Sequence, residues 1–284
     1  MTIVWPHSRS ETSSQDGTRI CYLTVGAGPG LLLVPGALKT ATDYAELARA
    51  LAGHFTVHVV ERRGRGGSGP QGPDYGIHRE CQDLAAVRAA TRADFVFGHS
   101  YGGLVALEAA LAMGRHAPAG IAVYEPGVSI NRSIPIDWIP EYREYLRVGR
   151  RLDAFITFIR ALGPDAARVA PRWWMKLVMG FVLRGAEREK TLGLLHENLR
   201  EHAEVGRLDN AFPRYGGIAT DVLILVGGKS GGRARQTADR LGQVVPQSTV
   251  RVLSGLDHFG PDRGDPGRVA EAVIHAFERG AAVE

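Results

Sequence analysis

Phe95-Val96-Phe97-Gly98-His99-Ser100-Tyr101-Gly102-Gly103-Leu104-Val105-Ala106-Leu107-Glu108-Ala109-Ala110 is the stretch whose reading decides the fold. A short apolar run breaks at Gly-x-Ser-x-Gly and resumes as a helix former, so it reads as strand, sharp turn, helix. Gly98 and Gly102 flank Ser100 because a residue held on so tight a turn sits at strained backbone angles and needs neighbours without a Cβ. Such a turn lifts the hydroxyl to the N-terminal end of the following helix, whose unpaired backbone N–H groups favour a nearby anion. Ser100 is the candidate nucleophile. Five residues alone are a weak signal, but the strand before and the helix after supply the context the chemistry needs.

Strand and helix alternate on either side of this stretch. Thr18-Arg19-Ile20-Cys21-Tyr22-Leu23-Thr24-Val25, after the turn Asp16-Gly17, reads as a half-buried strand, and the polar residues 1–13 before it read as a loosely held terminus. Leu31-Leu32-Leu33-Val34 is a continuous apolar run suited to a strand buried on both faces. The glycines of Gly26-Ala27-Gly28-Pro29-Gly30 do not form a dinucleotide loop, because they precede a strand instead of leaving one for a helix. A helix over 42–51, a strand at 55–60, a helix near 79–91, a strand at 120–126, a strand at 221–226, a helix near 233–242, a strand at 248–253 and a final helix over 268–278 continue the pattern. His58 is read as a strand side chain without a chemical role. The fold class is α/β, a mostly parallel doubly wound sheet with helices on both faces.

The alternation stops between 127 and 213. No strand is predicted there, only helical segments rich in large apolar groups, among them Trp138, Phe155 and Trp173. This is a helical lid inserted into a core made of residues 1–126 and 214–284. Most of these side chains pack the insertion itself, while Trp138, Trp173 and Phe155 are the candidates for facing a substrate in an apolar, water-poor site.

The chain has 284 residues and a formal net charge of +4, enough length for one large domain with an insertion. Lys and Arg are interspersed with nearly as many Asp and Glu, and the densest basic cluster, Arg62-Arg63-Gly64-Arg65, reads as a glycine-rich loop leaving a strand. Nucleic-acid binding is therefore not expected. The two cysteines, Cys21 and Cys81, make no disulfide framework or metal spacing. With no targeting signal at Met1-Thr2-Ile3 and no long apolar run, a cytoplasmic protein without membrane association is expected; a homodimer is compatible with the sequence.

With the Ser100 turn, a late loop histidine, His258, and the insertion in place, the sequence resembles the α/β-hydrolase superfamily over nearly its whole length. The motifs that carry the resemblance are Gly28-Pro29 before the apolar strand, the Pro35-Gly36-Ala37 turn after it, Arg63-Gly64-Arg65-Gly66-Gly67-Ser68, the Gly98–Gly103 turn and His258 beyond the last strand. The resemblance implies a triad of serine, acid and histidine in that chain order, with His258 as base. It also implies an oxyanion hole from the backbone N–H groups of Ala37 and Tyr101. His99, beside the nucleophile, is expected to be buried and supporting.

The acid departs from the commonest family pattern. Most relatives place an Asp after the penultimate strand, where this chain reads Gly227-Gly228-Lys229-Ser230-Gly231-Gly232. Some members place it after the strand that follows the nucleophile helix, and Glu125, in Tyr124-Glu125-Pro126, matches that arrangement. Asp257, adjacent to His258, is the poorer candidate, since its carboxylate would have to fold back on its own chain. If Glu125 is the acid, Ser230→Ala should be nearly silent. Family members usually carry His before the oxyanion glycine; Pro35 stands there instead, which removes a side chain that often braces the turn.

A serine nucleophile suits acyl transfer. The expected activity is hydrolysis of a carboxylic ester, lactone or thioester of a mostly apolar small molecule through an acyl-enzyme, with no metal or organic cofactor needed. Two other outcomes remain open at this point: carbon–carbon bond hydrolysis or cofactor-free lyase or cyclase chemistry, and a non-catalytic ligand-binding protein on the same scaffold.

Overall fold

The computed structural model describes residues 7–281. Among them eight strands form one sheet: β1 (Ser8–Ser13), β2 (Arg19–Val25), β3 (Gly30–Val34), β4 (Thr56–Glu61), β5 (Phe95–His99), β6 (Gly120–Tyr124), β7 (Asp221–Gly227) and β8 (Ser248–Leu253). Their order across the sheet is β1-β2-β4-β3-β5-β6-β7-β8. β1 and β2 run antiparallel, as do β2 and β4, and every later pairing is parallel.

Five core helices cover the sheet: α1 (Ala45–Leu51), α2 (Ile77–Thr91), α3 (Tyr101–Met113), then α10 (Gly232–Val244) and α11 (Pro266–Ala281) late in the chain. The continuous apolar strands divide by parity, as a two-residue repeat requires. Leu32, Val34, Ile121, Val123 and Ile224 join the α2, α3 and α10 side. Leu31, Leu33, Ala122, Tyr124 and Leu225 join the α1 and α11 side. Because both faces are covered, these strands carry no polar alternation.

Between β6 and β7 the chain forms α4 (Ile139–Arg147), α5 (Arg151–Leu162), α6 (Asp165–Val169), α7 (Arg172–Val182), α8 (Gly185–Gly193) and α9 (Leu195–Arg207). They enclose a core of their own, with Trp138, Tyr142, Phe155, Leu192 and Leu195 at its centre. No described helix is long and apolar enough to cross a membrane.

The expectation of a loosely held terminus over 1–13 is corrected for its second half, while residues 1–6 lie outside the described residues. Ser8–Ser13 is a strand, paired with β2 from Ser8 opposite Thr24 to Ser13 opposite Arg19. It is an edge strand exposed along nearly its whole length, so burial imposed no apolar pattern on its sequence.

The parallel strands β3, β5, β6, β7 and β8 all end on one edge of the sheet, and the turns leaving those ends carry the residues of interest. In sheets of this kind the crevice beyond the strands' carboxyl ends is where ligands bind.

Candidate active site

Ser100 sits between β5 and α3 with φ 54° and ψ −121°, a conformation seldom adopted outside glycine. The turn around it is pinned from three sides. Ser100 N–H donates to the Tyr124 carbonyl at the end of β6 (3.0 Å), and the Ser100 carbonyl accepts from Gly103 N–H (2.9 Å) and Gly127 N–H (2.8 Å). The flanking glycines are required by close approach: a Cβ on Gly98 would lie 2.5 Å from the Gly102 carbonyl oxygen, and one on Gly102 would be driven into that of Val34. Tyr101 opens α3, so its amide is among the first-turn donors with no intrahelical acceptor.

Glu125 follows β6 directly and has a positive φ of 42°. Its nearly buried carboxylate spans two turns. Oε2 lies 2.8 Å from His258 Nδ1, and Oε1 accepts from Gly227 N–H (2.9 Å) and from the Ser230 hydroxyl. Burial pushes the Glu125 carboxyl up, but the hydrogen bonds from His258, Ser230 and Gly227 outweigh it and hold the group below the ordinary 4.5. Ser230, whose replacement by alanine is expected from the sequence to be nearly silent, thus lies in hydrogen-bond contact with Glu125. Asp257 turns onto its own chain, its Oδ1 accepting from Phe259 N–H at 2.9 Å.

His258 is brought to the serine turn by its backbone. The His99 ring lies 2.8 Å through Nε2 from the His258 carbonyl, and Tyr124 donates its hydroxyl to the Asp257 carbonyl (2.7 Å). His99 is fully buried, its Nδ1 2.6 Å from the Tyr44 hydroxyl, and burial together with the neighbouring His258 holds its pKa well below 6.5. A neutral imidazole in that place can donate only one ring proton, which the His258 carbonyl takes, leaving Nδ1 to accept from Tyr44. Among the described residues Ser100 Oγ makes no hydrogen bond to the His258 ring; such pairs often tighten only with substrate in place.

The Pro35-Gly36-Ala37 turn lies against the serine, since a Cβ built on Gly36 would be 3.3 Å from that of Ser100. The turn is braced despite Pro35. Gly36 N–H donates to the Tyr44 hydroxyl (3.0 Å), and Arg62 Nη1 donates to the Gly36 carbonyl (3.1 Å) and the Pro35 carbonyl (3.3 Å). Arg62 is itself locked, forked onto Glu80 (2.6 Å to each oxygen) and 2.9 Å from Glu201 on α9. Arg65 also binds Glu201 (2.5 Å), and Arg63 forks onto Asp83. The basic cluster of the sequence is thus buried and neutralised by carboxylates. Sequence alone offered no signal for Tyr44; for Arg62 the hint was three arginines directly after a buried strand.

Of the residues proposed from sequence to line a pocket, Trp138 and Phe155 are buried in the insertion's core. Trp138 donates its indole N–H to the Pro135 carbonyl (2.8 Å) and packs edge-on against Tyr142, Phe158 and His202. Trp173 is 65% exposed on α7, with Trp174, Leu177 and Phe181 also exposed.

The arrangement joins a strained serine at a helix N-terminus, an imidazole oriented through Nδ1 by an ionised carboxylate, and a braced glycine turn. Parts of this kind are able to serve as a nucleophile, a proton acceptor and backbone donors for a developing oxyanion. The model of the alpha/beta hydrolase family matches residues 31–272. An N-formylmaleamate deformylase from Pseudomonas putida is 36% identical over 169 residues, a match that covers 56% of this chain and 62% of that protein's length. A solved alpha/beta hydrolase from Sphaerobacter thermophilus shares 31% identity with a TM-score of 0.79, covering 94% of this chain and 100% of its own. A solved esterase from Rhodococcus superposes with a TM-score of 0.66 at 23% identity, over 95% of this chain and 98% of its own, a likeness of fold.

Proposed function

From the premise that this chain belongs to the alpha/beta hydrolase family, we propose that it is a hydrolase that cleaves a carboxylic acyl bond through an acyl-enzyme on Ser100. His258 takes the Ser100 proton on Nε2 as Oγ attacks the acyl carbon. Glu125 accepts a hydrogen bond from Nδ1–H, fixes the ring's orientation and stabilises the imidazolium without itself being protonated. The N–H groups of Ala37 and Tyr101 receive the oxyanion; losing one such donor typically costs about 100- to 1,000-fold in rate. His258 then protonates the leaving group, and a water activated by the same imidazole releases the acid.

The observation that carries this reading is the 2.8 Å pair of Glu125 and His258 beside a serine held at positive φ. The substrate proposed is a small molecule bearing an ester, lactone or thioester, with residues 127–213 acting as the lid over it. The deformylase relative favours a second acyl class, an N-acyl amide such as a formamide, which the same serine chemistry serves.

The test is turnover of a p-nitrophenyl ester series of graded acyl length and of N-formyl amides, by wild type and Ser100→Ala, with fluorophosphonate labelling of both. Turnover and labelling that both vanish in the variant support the reading. Undiminished turnover by Ser100→Ala would sink it, and a wild type that is folded, unlabelled and inactive on every substrate would point to a binding role.

A further inference from the structure

Glu125 is a long acid doing work that a shorter, differently seated Asp does in most of the family's sequences. An extra methylene adds a torsion, and a carboxylate free to turn about it presents its oxygens to His258 only part of the time. Oriented Nδ1 chemistry needs that torsion stopped.

The turn after β7 stops it. Gly227 N–H and the Ser230 hydroxyl both reach Glu125 Oε1, which leaves Oε2 alone to face His258. The turn is itself rigid. Ser230 N–H closes onto the Gly227 carbonyl (3.1 Å), Gly228 N–H donates to the Leu253 carbonyl (2.9 Å), and Lys229 N–H donates to the Leu256 carbonyl (2.7 Å). A Cβ on Gly227 would sit 2.6 Å from the Leu256 carbonyl oxygen, so the β7 end packs directly on the loop that carries His258. The hydroxyl is therefore delivered from a frame shared with the histidine, and it bridges 105 residues to the acid.

We propose that Ser230 is the positioning residue of the catalytic acid: its hydroxyl clamps Glu125 Oε1 so that Oε2 is held on His258 Nδ1. The proposal rests on the triad reading given above. The position from which the family's commoner acid would act retains a polar group that reaches the displaced one. The same hydrogen bond contributes to keeping Glu125 ionised despite its burial. The Ser230 hydroxyl bonds the Glu125 carboxylate and neither Ser100 nor the His258 ring, so its expected effect is on the step that His258 performs and not on binding.

The experiment compares wild type, Ser230→Ala, Ser230→Thr and Glu125→Gln on the best substrate of the ester or formamide series, with kcat and KM separated and folding checked by thermal melting. Ser230→Ala should lower kcat about tenfold, the worth of one charge-assisted hydrogen bond, with KM within about twofold of wild type. Ser230→Thr, which keeps the hydroxyl, should recover most of that loss. A Ser230→Ala enzyme with wild-type kcat, alongside a crippled Glu125→Gln, overturns the clamp and leaves the triad standing. Threonine as impaired as alanine also overturns it, because shape and not the hydroxyl would then matter. A fully active Glu125→Gln removes the triad reading itself.

Discussion

Ser100 and Glu125 both carry positive φ angles, 54° and 42°, without glycine's freedom to do so. Each such residue costs of order 1–3 kcal/mol and persists only where surrounding structure holds it. Here the hold is visible: Ser100 N–H binds the Tyr124 carbonyl, and Glu125 N–H binds the Leu225 carbonyl at 2.9 Å. Replacing Glu125 with Gln keeps the size but turns one acceptor oxygen into an NH2 donor and removes the charge that stabilises an imidazolium. We expect kcat to fall by about 10⁴ with KM little changed, by analogy with an Asp→Asn change in a triad, and steady-state kinetics on a purified, folded variant check it. The three candidate triad positions were legible because each lies at the end of a recognisable strand: Ser100 in a motif, His258 in the last loop, Glu125 at an abrupt Glu-Pro exit. Ser230 was not, because its partner is 105 residues away and a serine among glycines looks like turn chemistry. Tyr44 was equally silent, since a tyrosine in an amphipathic helix start reads as core.

At the scale of elements, the strand–turn–helix at 95–113 was readable because its glycines answer to geometry. Gly102 passes against the backbone of Val34 and Pro35 at the end of β3, where even a methyl group has no space. Gly102→Ala should destabilise the fold by about 1–3 kcal/mol through overpacking against immobile backbone, read as a lower midpoint in urea denaturation with an unchanged slope. The parallel strands were readable for a related reason, since burial on both faces leaves only apolar residues between turns. β1 lacked that constraint and was missed. Its partner β2 carries the pattern, while Ser8–Ser13, exposed on the sheet's edge, is held by backbone hydrogen bonds that leave no trace in side-chain periodicity.

Over the whole molecule, buried histidines contribute to the response to acid. Burial holds His99 well below 6.5, and it also lowers His202, which lies in the insertion. Both take up a proton less readily in the folded chain than in the unfolded chain, which does so below about 6.5. Their folded values are depressed, so the stability they allow is complete above about 6.5 and is lost as pH falls toward those values. The limiting slope is about 1.4 kcal/mol per pH unit for each histidine. Urea denaturation at pH 7.5 and 5.5 should show a lower midpoint at the acid pH, and His202→Gln, which cannot take a proton, should narrow the difference. Equal midpoints at the two pH values would contradict this account.

Arg62 joins the turn beside Ser100 to Glu201 of α9, and Arg65 grips the same carboxylate, with all three side chains out of solvent. Separating ions so placed would strand charges in a medium that cannot solvate them, at a cost of several kcal/mol. The inserted helices therefore differ in how they are held and in what they expose. α9 is joined by these buried ion pairs to the turn beside Ser100, while α7, with Trp173, Leu177 and Phe181 open to water, is held by Arg172 to Glu141 and by Lys176 to Asp153 within the insertion.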